Sequence, residues 1–307
     1  MTTSSDLDRN AAHRVVIVTG AASGIGLALT RRLLARGDTV IAADLNEVGL
    51  ASLVALADEA GWSGRVVAQQ CDVTDADSVQ AAVDLAVREF SRLDVIVNNA
   101  GIGLGGGLEE MTPAHWDAVI DVNFRGVAYG ATAAYKVMVE QGFGQIVNVA
   151  SLSGLIPSPF LTPYSATKHA VVGLSDSLRA EAAGTGVSVV CVCPGFTETP
   201  ILDSANIPGL PETSLGGQAR RYAQGTPGGI YDVEELARDI ERGMDRGSPM
   251  VVAPLPARVM WVVQRYVPAL MRQQTARVAL RTRRVFSPVS GGARAVTSVG
   301  TAKTRST

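Results

Sequence analysis

The sequence predicts an α/β fold, a doubly wound parallel sheet with helices on both faces, and three observations carry that expectation. Short β-branched runs alternate with helix-length amphipathic segments along residues 14–253. The runs are near-continuously apolar rather than alternating, as strands covered on both faces must be. A glycine-rich turn joins the first run to the first helical segment, which is where such sheets open a ligand-binding crevice. At 307 residues with 47% hydrophobic content, the chain is long enough to bury a large core.

Arg14–Thr19 (RVVIVT) reads as the first strand and Gly24–Ala35 as a helix stopped at Gly37. Thr39–Asp44 (TVIAAD) is the second strand, followed by a helix over Glu47–Ala60 that Gly61 ends. Arg65–Cys71 and Val95–Asn98 are strands flanking the helix Ala76–Phe90. A long helix over Trp116–Gln141 leads into strand Gln145–Ala150 and then helix Tyr164–Ala183. Strand Val187–Cys193, helix Val233–Arg246 and a short strand at Met250–Ala253 complete the alternation. Right-handed crossovers between parallel strands make this a Rossmann-type arrangement. Neither a fixed-period repeat nor a domain-splitting linker interrupts it, so one domain is expected over 12–254 after a flexible N-terminus of residues 1–11.

Composition excludes several function classes. Net charge is −2, but ten of the 27 basic residues and none of the 29 acidic ones lie from Pro254 onward. The body before that point is therefore acidic, which argues against nucleic-acid binding. No uncharged apolar run approaches a membrane-spanning ~20 residues, and the N-terminus lacks the apolar stretch of a secretory signal. Three cysteines, Cys71, Cys191 and Cys193, suit a reducing compartment, so a cytoplasmic protein is expected. Cys191 and Cys193 read as core residues sharing one strand face. His13, His115 and His169 lack metal-ligand spacing, and no metal is expected.

Two motifs carry chemistry. Thr19-Gly-Ala-Ala-Ser-Gly-Ile-Gly26 links strand to helix, with glycines at 20, 24 and 26 for a tight turn and close backbone approach. A helix N-terminus there offers free N–H groups and a positive dipole end to a pyrophosphate. Asp44 ends the second strand, where a carboxylate can bind the adenosine ribose diol. Its neighbours Ala22, Leu45 and Asn46 include no cation for a 2′-phosphate, which favours NAD over NADP. The second motif is Tyr164-Ser-Ala-Thr-Lys168, with Ser151 thirteen residues upstream. A lysine four residues after a tyrosine shares its helical face, and its ammonium there favours the phenolate.

TGAASGIG, Asp44, Cys71-Asp72-Val73, Asn98-Asn-Ala-Gly101, Asn123, Ser151, Tyr164-x-x-x-Lys168 and Pro194-Gly195 together resemble the short-chain dehydrogenase/reductase family, in that family's order and spacing over roughly residues 12–254. The resemblance implies reversible hydride transfer between a secondary alcohol and a ketone. It implies catalytic roles for Asn123, Ser151, Tyr164 and Lys168. Ser151 would hold the substrate oxygen and Tyr164 would exchange its proton; these two are the substrate-binding pair. Lys168 would hold the nicotinamide ribose, and Asn123 a water linking the lysine to solvent. Cofactor contacts would come from Gly20, Ser23, Gly24, Ile25 and Gly26 at the turn, and from Asp44. Asp72 and Val73 would flank the adenine, with Asn98, Ala100 and Gly101 lining the cleft beside Tyr164 and Lys168. Pro194, Gly195, Thr197 and Thr199 would embrace the carboxamide, Thr197 departing from the branched aliphatic residue the family commonly has. Homodimers or homotetramers formed through the two long helices follow from the same resemblance.

Leu152, Leu155, Ile156, Pro157 and Phe160 read as an apolar wall for a hydrophobic substrate, and the Pro- and Gly-rich stretch over 198–232 as a substrate lid. Gly103–Gly107 reads as a loop near the pocket. Beyond residue 254 the chain departs from the family. Residues 255–287 predict a basic amphipathic helix, with Arg258, Arg265 and Arg272 opposite Val259, Val263, Tyr266, Val267 and Leu270. Pro268 should kink or split it. Such a helix either packs on its own acidic body or a neighbouring subunit, or lies on an anionic membrane. Residues 288–307 read as a disordered tail. Two competing functions are a nucleotide sensor without turnover, which needs no Ser151–Tyr164–Lys168 set, and an epimerase- or dehydratase-type relative.

Overall fold

The computed structural model describes residues 13–203, 206–226 and 228–286. The expected flexible N-terminus and disordered tail lie outside them. Seven strands form one sheet in the order β3-β2-β1-β4-β5-β6-β7: β1 Val15–Thr19, β2 Thr39–Asp44, β3 Val66–Gln70, β4 Val95–Asn98, β5 Gly144–Val149, β6 Val187–Pro194 and β7 Met250–Ala253. Every neighbouring pair is parallel, for example Ile17 against Ile41 and Ile96. Strand order reverses between β1 and β4, so a crevice opens at their carboxyl ends.

Successive residues of each strand point to opposite faces, and both faces are buried. Val16, Val18, Val40 and Val97 pack beneath helices Gly24–Ala35 and Val233–Asp245 through Leu29, Leu33, Leu236 and Ile240. Val15, Ile17, Ile41 and Ile96 pack on the other side against Val79, Val83, Ala134 and Met138 of helices Ala76–Phe90 and Gly126–Gln141. This two-sided burial is what the near-continuous apolar runs encode.

Two helices differ from the sequence expectation. The long helix begins at Pro113, behind a Thr112 cap that accepts a hydrogen bond from the His115 N–H. It then passes through a wide π turn over Asp121–Arg125 before continuing to Gln141. The π turn carries Asn123, whose side chain pairs at both ends with Ile102: Nδ2 donates to the carbonyl (3.0 Å) and Oδ1 accepts from the N–H (2.8 Å). That cross-link to the loop after β4 depends on tertiary placement, and nothing in local periodicity announces it. The helix bearing Tyr164 starts at Thr162, with Pro163 in its first turn, a position proline favours.

The C-terminal segment folds as two helices, Leu255–Tyr266 and Pro268–Phe286, broken where Pro268 was expected to break it. The face that packs on the body is neither the arginine face nor the predicted apolar one. Ala257, Met260 and Trp261 face the body, while Val259, Tyr266, Val267 and Leu270 stay exposed.

Candidate active site

At the carboxyl ends of the strands lies a cleft of about 720 Å³. Its floor begins at the glycine turn. Gly26 allows no side chain, since a Cβ there would fall 2.0 Å from the Gly20 carbonyl. Ser23 caps the following helix by position only and makes no side-chain cap hydrogen bond. Four other helices are capped by Asn46, Asp75, Thr112 and Asp232 side chains. The helix facing the cleft thus keeps its N-terminal donors for something else, as an anion site requires.

Asp44 accepts hydrogen bonds from the Ala22 N–H through Oδ2 and the Asn46 N–H through Oδ1, both at 2.9 Å. These bonds fix the carboxylate at the cleft edge beside exposed Leu45. Asp72 is fixed similarly by the Thr74 N–H and hydroxyl (2.9 and 2.7 Å). Lys168 is the only lysine or arginine among the described lining residues, so the Asp44 end of the cleft is acidic without a compensating cation.

The reactive group assembles around β5. Ser151 follows that strand in extended conformation, and its Oγ accepts from the Ser153 N–H at 3.1 Å. The next turn, Leu152–Gly154, lies hard against the tyrosine helix, because a Cβ on Gly154 would meet the Lys168 carbonyl at 2.5 Å. This contact sets Ser151 within hydrogen-bonding reach of the Tyr164 phenol. Lys168 is 3% exposed; its ammonium donates to the Val149 carbonyl at 2.9 Å and sits 5.7 Å from the Tyr164 ring centre. A Cβ on Gly101 would lie 3.1 Å from Asn123 Oδ1 and 3.6 Å from Lys168 Nζ, so Gly101 is the narrow point where these two residues meet.

Electrostatics here oppose the sequence expectation. Burial pushes the Tyr164 phenol up, and the Ser151 hydrogen bond only partly offsets it. Burial also brings Lys168 down to about 8, against a smaller opposing influence from Cys193. Enclosure penalises the charged form of both groups, so each is driven toward neutrality rather than the lysine simply lowering the tyrosine.

Most sequence-assigned site residues line the cleft: Gly20, Ser23, Gly24, Ile25 and Asp44 at one end, then Asp72, Val73, Ala100 and Gly101. Ser151, Tyr164 and Lys168 follow, with Pro194, Gly195, Thr197 and Thr199. Thr199 closes over the glycine turn, 3.1 Å from where a Gly24 Cβ would be. Three residues lie behind the wall. Gly26 is a packing position. Asn123 pairs its amide with the Ile102 backbone, using one bond at each end. Asn98 points into a buried polar chain, donating to Asn148 (2.8 Å), which donates to Ser175 (3.0 Å). Asn99 occupies the cleft in its place, its amide bound to the Thr19 carbonyl at 2.9 Å. Among the described residues no cluster of potential metal ligands occurs.

The remainder of the cleft is apolar. Leu152, Ile156 and Pro157 line it as expected, while Leu155 and Phe160 do not. The lid contributes Ile201, Leu202, Ile207 and Tyr222. It is clasped at its base, where Glu198 N–H donates to the Tyr231 carbonyl (2.9 Å) and Tyr231 N–H to that of Phe196 (2.8 Å). Arg220 braces it with hydrogen bonds to Asp203 (2.8 Å) and Glu198 (2.7 Å). Sequence reasoning missed one wall: Met260, Met271, Gln274, Thr275 and Val278 of the C-terminal helices also line the cleft. Met271, Thr275, Val278 and Thr282 recur at helical spacing, but two threonines conceal the stripe from a hydrophobicity pattern.

The sequence profile of the family described as "short chain dehydrogenase" matches residues 14–208. The 3-oxoacyl-[acyl-carrier-protein] reductase FabG of Thermotoga maritima is 41% identical over 223 residues, 73% of this chain and 88% of that protein. The 3beta-hydroxysteroid dehydrogenase 2 of Eggerthella lenta is 36% identical over 246 residues, 78% of this chain and 94% of its own length. Among solved structures, a short chain dehydrogenase/reductase from Burkholderia phymatum in complex with NAD superimposes with a TM-score of 0.72 at 28% identity, covering 88% of this chain and 95% of that one. A short-chain dehydrogenase from Sphingobium yanoikuyae in complex with NADPH gives 0.66 at 30% identity, covering 92% and 99%.

Proposed function

Since the chain belongs to the short-chain dehydrogenase/reductase family, an oxidoreductase family acting on alcohol- and ketone-type groups, we propose that it interconverts an apolar secondary alcohol and its ketone with NAD as the preferred cofactor. The observation that carries this reading is the Ser151–Tyr164–Lys168 set at the point where the acidic, glycine-floored end of the cleft meets its apolar end. A sensor without turnover has no use for that set.

The uncapped helix at Ser23, the Asp44 carboxylate and the close backbone at Gly20 and Gly24 fit a dinucleotide, whose nicotinamide supplies or accepts the hydride when bound. The chain's own residues manage the oxygen and its proton. Ser151 Oγ holds the substrate oxygen, and Tyr164 Oη gives its proton to that oxygen in reduction or takes it in oxidation. Because burial raises the phenol, tyrosine carries its proton at neutral pH, the form that reduction needs. Lys168, near 8, is poised to exchange a proton at physiological pH. Asn123 holds the loop that presses Gly101 against the ammonium.

NAD is favoured because a 2′-phosphate would meet Asp44 and no cation at that end of the cleft. A hydrophobic substrate is favoured by the aliphatic lining from Leu152, Ile156, Leu202 and Met271. Action in the cytoplasm, and association through the Pro113–Gln141 and Thr162–Glu181 helices into dimers or tetramers, complete the reading. The test is NADH formation across a panel of apolar secondary alcohols, repeated with NADP. Tyr164→Phe should lower kcat/KM at least about a hundredfold while NAD binding persists, and near wild-type turnover in that variant would reject the assignment.

A further inference from the structure

The C-terminal helices have two faces, and the function proposed above uses only one. On Leu255–Tyr266 the inward face is Ala257, Met260 and Trp261, of which Ala257 and Met260 line the cleft. The outward face is an apolar stripe: Leu255 is 72% exposed, Val259 53%, Val262 43% and Tyr266 76%. At about 100° per residue these four fall within an arc of roughly 60°. Val267 (49%) and Leu270 (43%) continue the stripe into the second helix. Exposed Arg258 and Arg265 run along its edge, and exposed Arg272, Arg277 and Arg281 follow on the next helix, with Arg283 beyond them paired to Glu109 at 4.0 Å. No Asp or Glu occurs from Pro254 to the end of the chain.

We propose that this helical pair docks on an anionic lipid surface and admits a lipid-dissolved alcohol or ketone directly to the cleft. A contiguous apolar stripe on a monomer's surface marks an interaction site. One edged by arginine without acids suits the boundary between lipid headgroups and acyl chains. The segment lies on the surface rather than crossing it, since no described helix is long and apolar enough to span a membrane. Charge selects lipid over a second copy of the chain. Pairing two stripes about a two-fold axis would gather four arginines, two Arg258 and two Arg265, at one seam with no carboxylate on either helix. Position links the surface to the chemistry. Consecutive residues Leu270 and Met271 point about 100° apart on one helix, the first 43% exposed and the second 7% exposed in the cleft wall. The lipid face and the substrate cavity are therefore adjoining sides of the same helix, no further apart than its diameter of about 10 Å.

The proposal rests on the reading of an apolar substrate, but its primary test does not require turnover. Full-length protein is sedimented with vesicles of phosphatidylcholine mixed with phosphatidylglycerol, and with phosphatidylcholine alone. Binding should favour the mixed vesicles and weaken as salt is raised. Arg258→Gln and Arg265→Gln should each weaken it about fivefold. The triple variant Val259→Ser/Val262→Ser/Tyr266→Ser changes only exposed residues outside the cleft. It should lose vesicle binding while keeping its urea midpoint and its turnover of a water-soluble alcohol. Equal partitioning of wild type and triple variant, or sedimentation with neither vesicle, overturns the proposal. So does a fall in solution mass of the triple variant without lipid, accompanied by unchanged vesicle binding, which would assign the stripe to a second copy.

Discussion

Replacing Lys168 by methionine and following stability against pH isolates the cost of burying its ammonium. Burial brings this group from 10.5 to about 8, and at 1.36 kcal/mol per pKa unit that corresponds to about 3 kcal/mol. Below pH 8 both native and unfolded chains hold the proton, so wild type bears the full penalty. Between 8 and 10.5 the unfolded chain still holds the proton that the native chain has released. Wild-type stability from this group therefore rises with pH across that window. Lys168→Met has no such term. It does leave the Val149 carbonyl without the 2.9 Å hydrogen bond, a loss of about 1–3 kcal/mol that is independent of pH. The absolute stability difference thus mixes two effects, whereas its change with pH reports only one. Urea unfolding of both proteins at pH 7, 8, 9 and 10 should show the variant's relative stability falling by about 2.5 kcal/mol toward the alkaline end, most of the full shift. A difference that stays flat over that range would mean that burial does not shift the lysine in the native state.

Two other perturbations read separate parts of the site. Gly154→Val sets atoms against the Lys168 carbonyl, where even a Cβ would lie at 2.5 Å; it should push Ser151 away from Tyr164 and cut kcat at least about tenfold with NAD affinity retained by fluorescence titration. Asp44→Ser with Leu45→Arg removes the carboxylate and supplies a cation at an exposed position. It should move the NADP-to-NAD ratio of kcat/KM by about ten- to a hundredfold, and an unchanged ratio would show that the cofactor preference is set elsewhere.

The sheet was legible because buried parallel strands leave long apolar runs, and Val15–Thr19 through Met250–Ala253 appear where those runs lie. The glycine turn, Asp44, Ser151, Tyr164 and Lys168 were legible because each occupies a strand end or a helical spacing that sequence alone displays. What escaped depends on three-dimensional partners. Asn98 and Asn99 are adjacent and chemically identical, yet strand alternation sends the first toward Asn148 and leaves the second at the cleft. The π turn at Asn123 exists in the company of Ile102, a residue of another segment. The sense of the Tyr164 shift also escaped, because spacing shows a neighbouring charge but not the water that burial removes. For the C-terminal helix, periodicity identified an apolar face and a basic one, whereas contacts with the cleft turn a third face inward, that of Ala257, Met260 and Trp261.

The clasp between Phe196 and Tyr231 has an evolutionary consequence. The two ends of the intervening segment are already tied together beside β6, so its length is decoupled from the sheet. Doubling a flexible loop adds only about 0.6 kcal/mol of closure entropy, small beside the stability of a domain this size. The segment can therefore behave as an exchangeable cassette, re-cut by insertion or deletion to suit a new molecule while Ser151, Tyr164 and Lys168 keep their places. In such a scaffold, new specificities can arise by recombination at one pair of hydrogen bonds, without renegotiating the core.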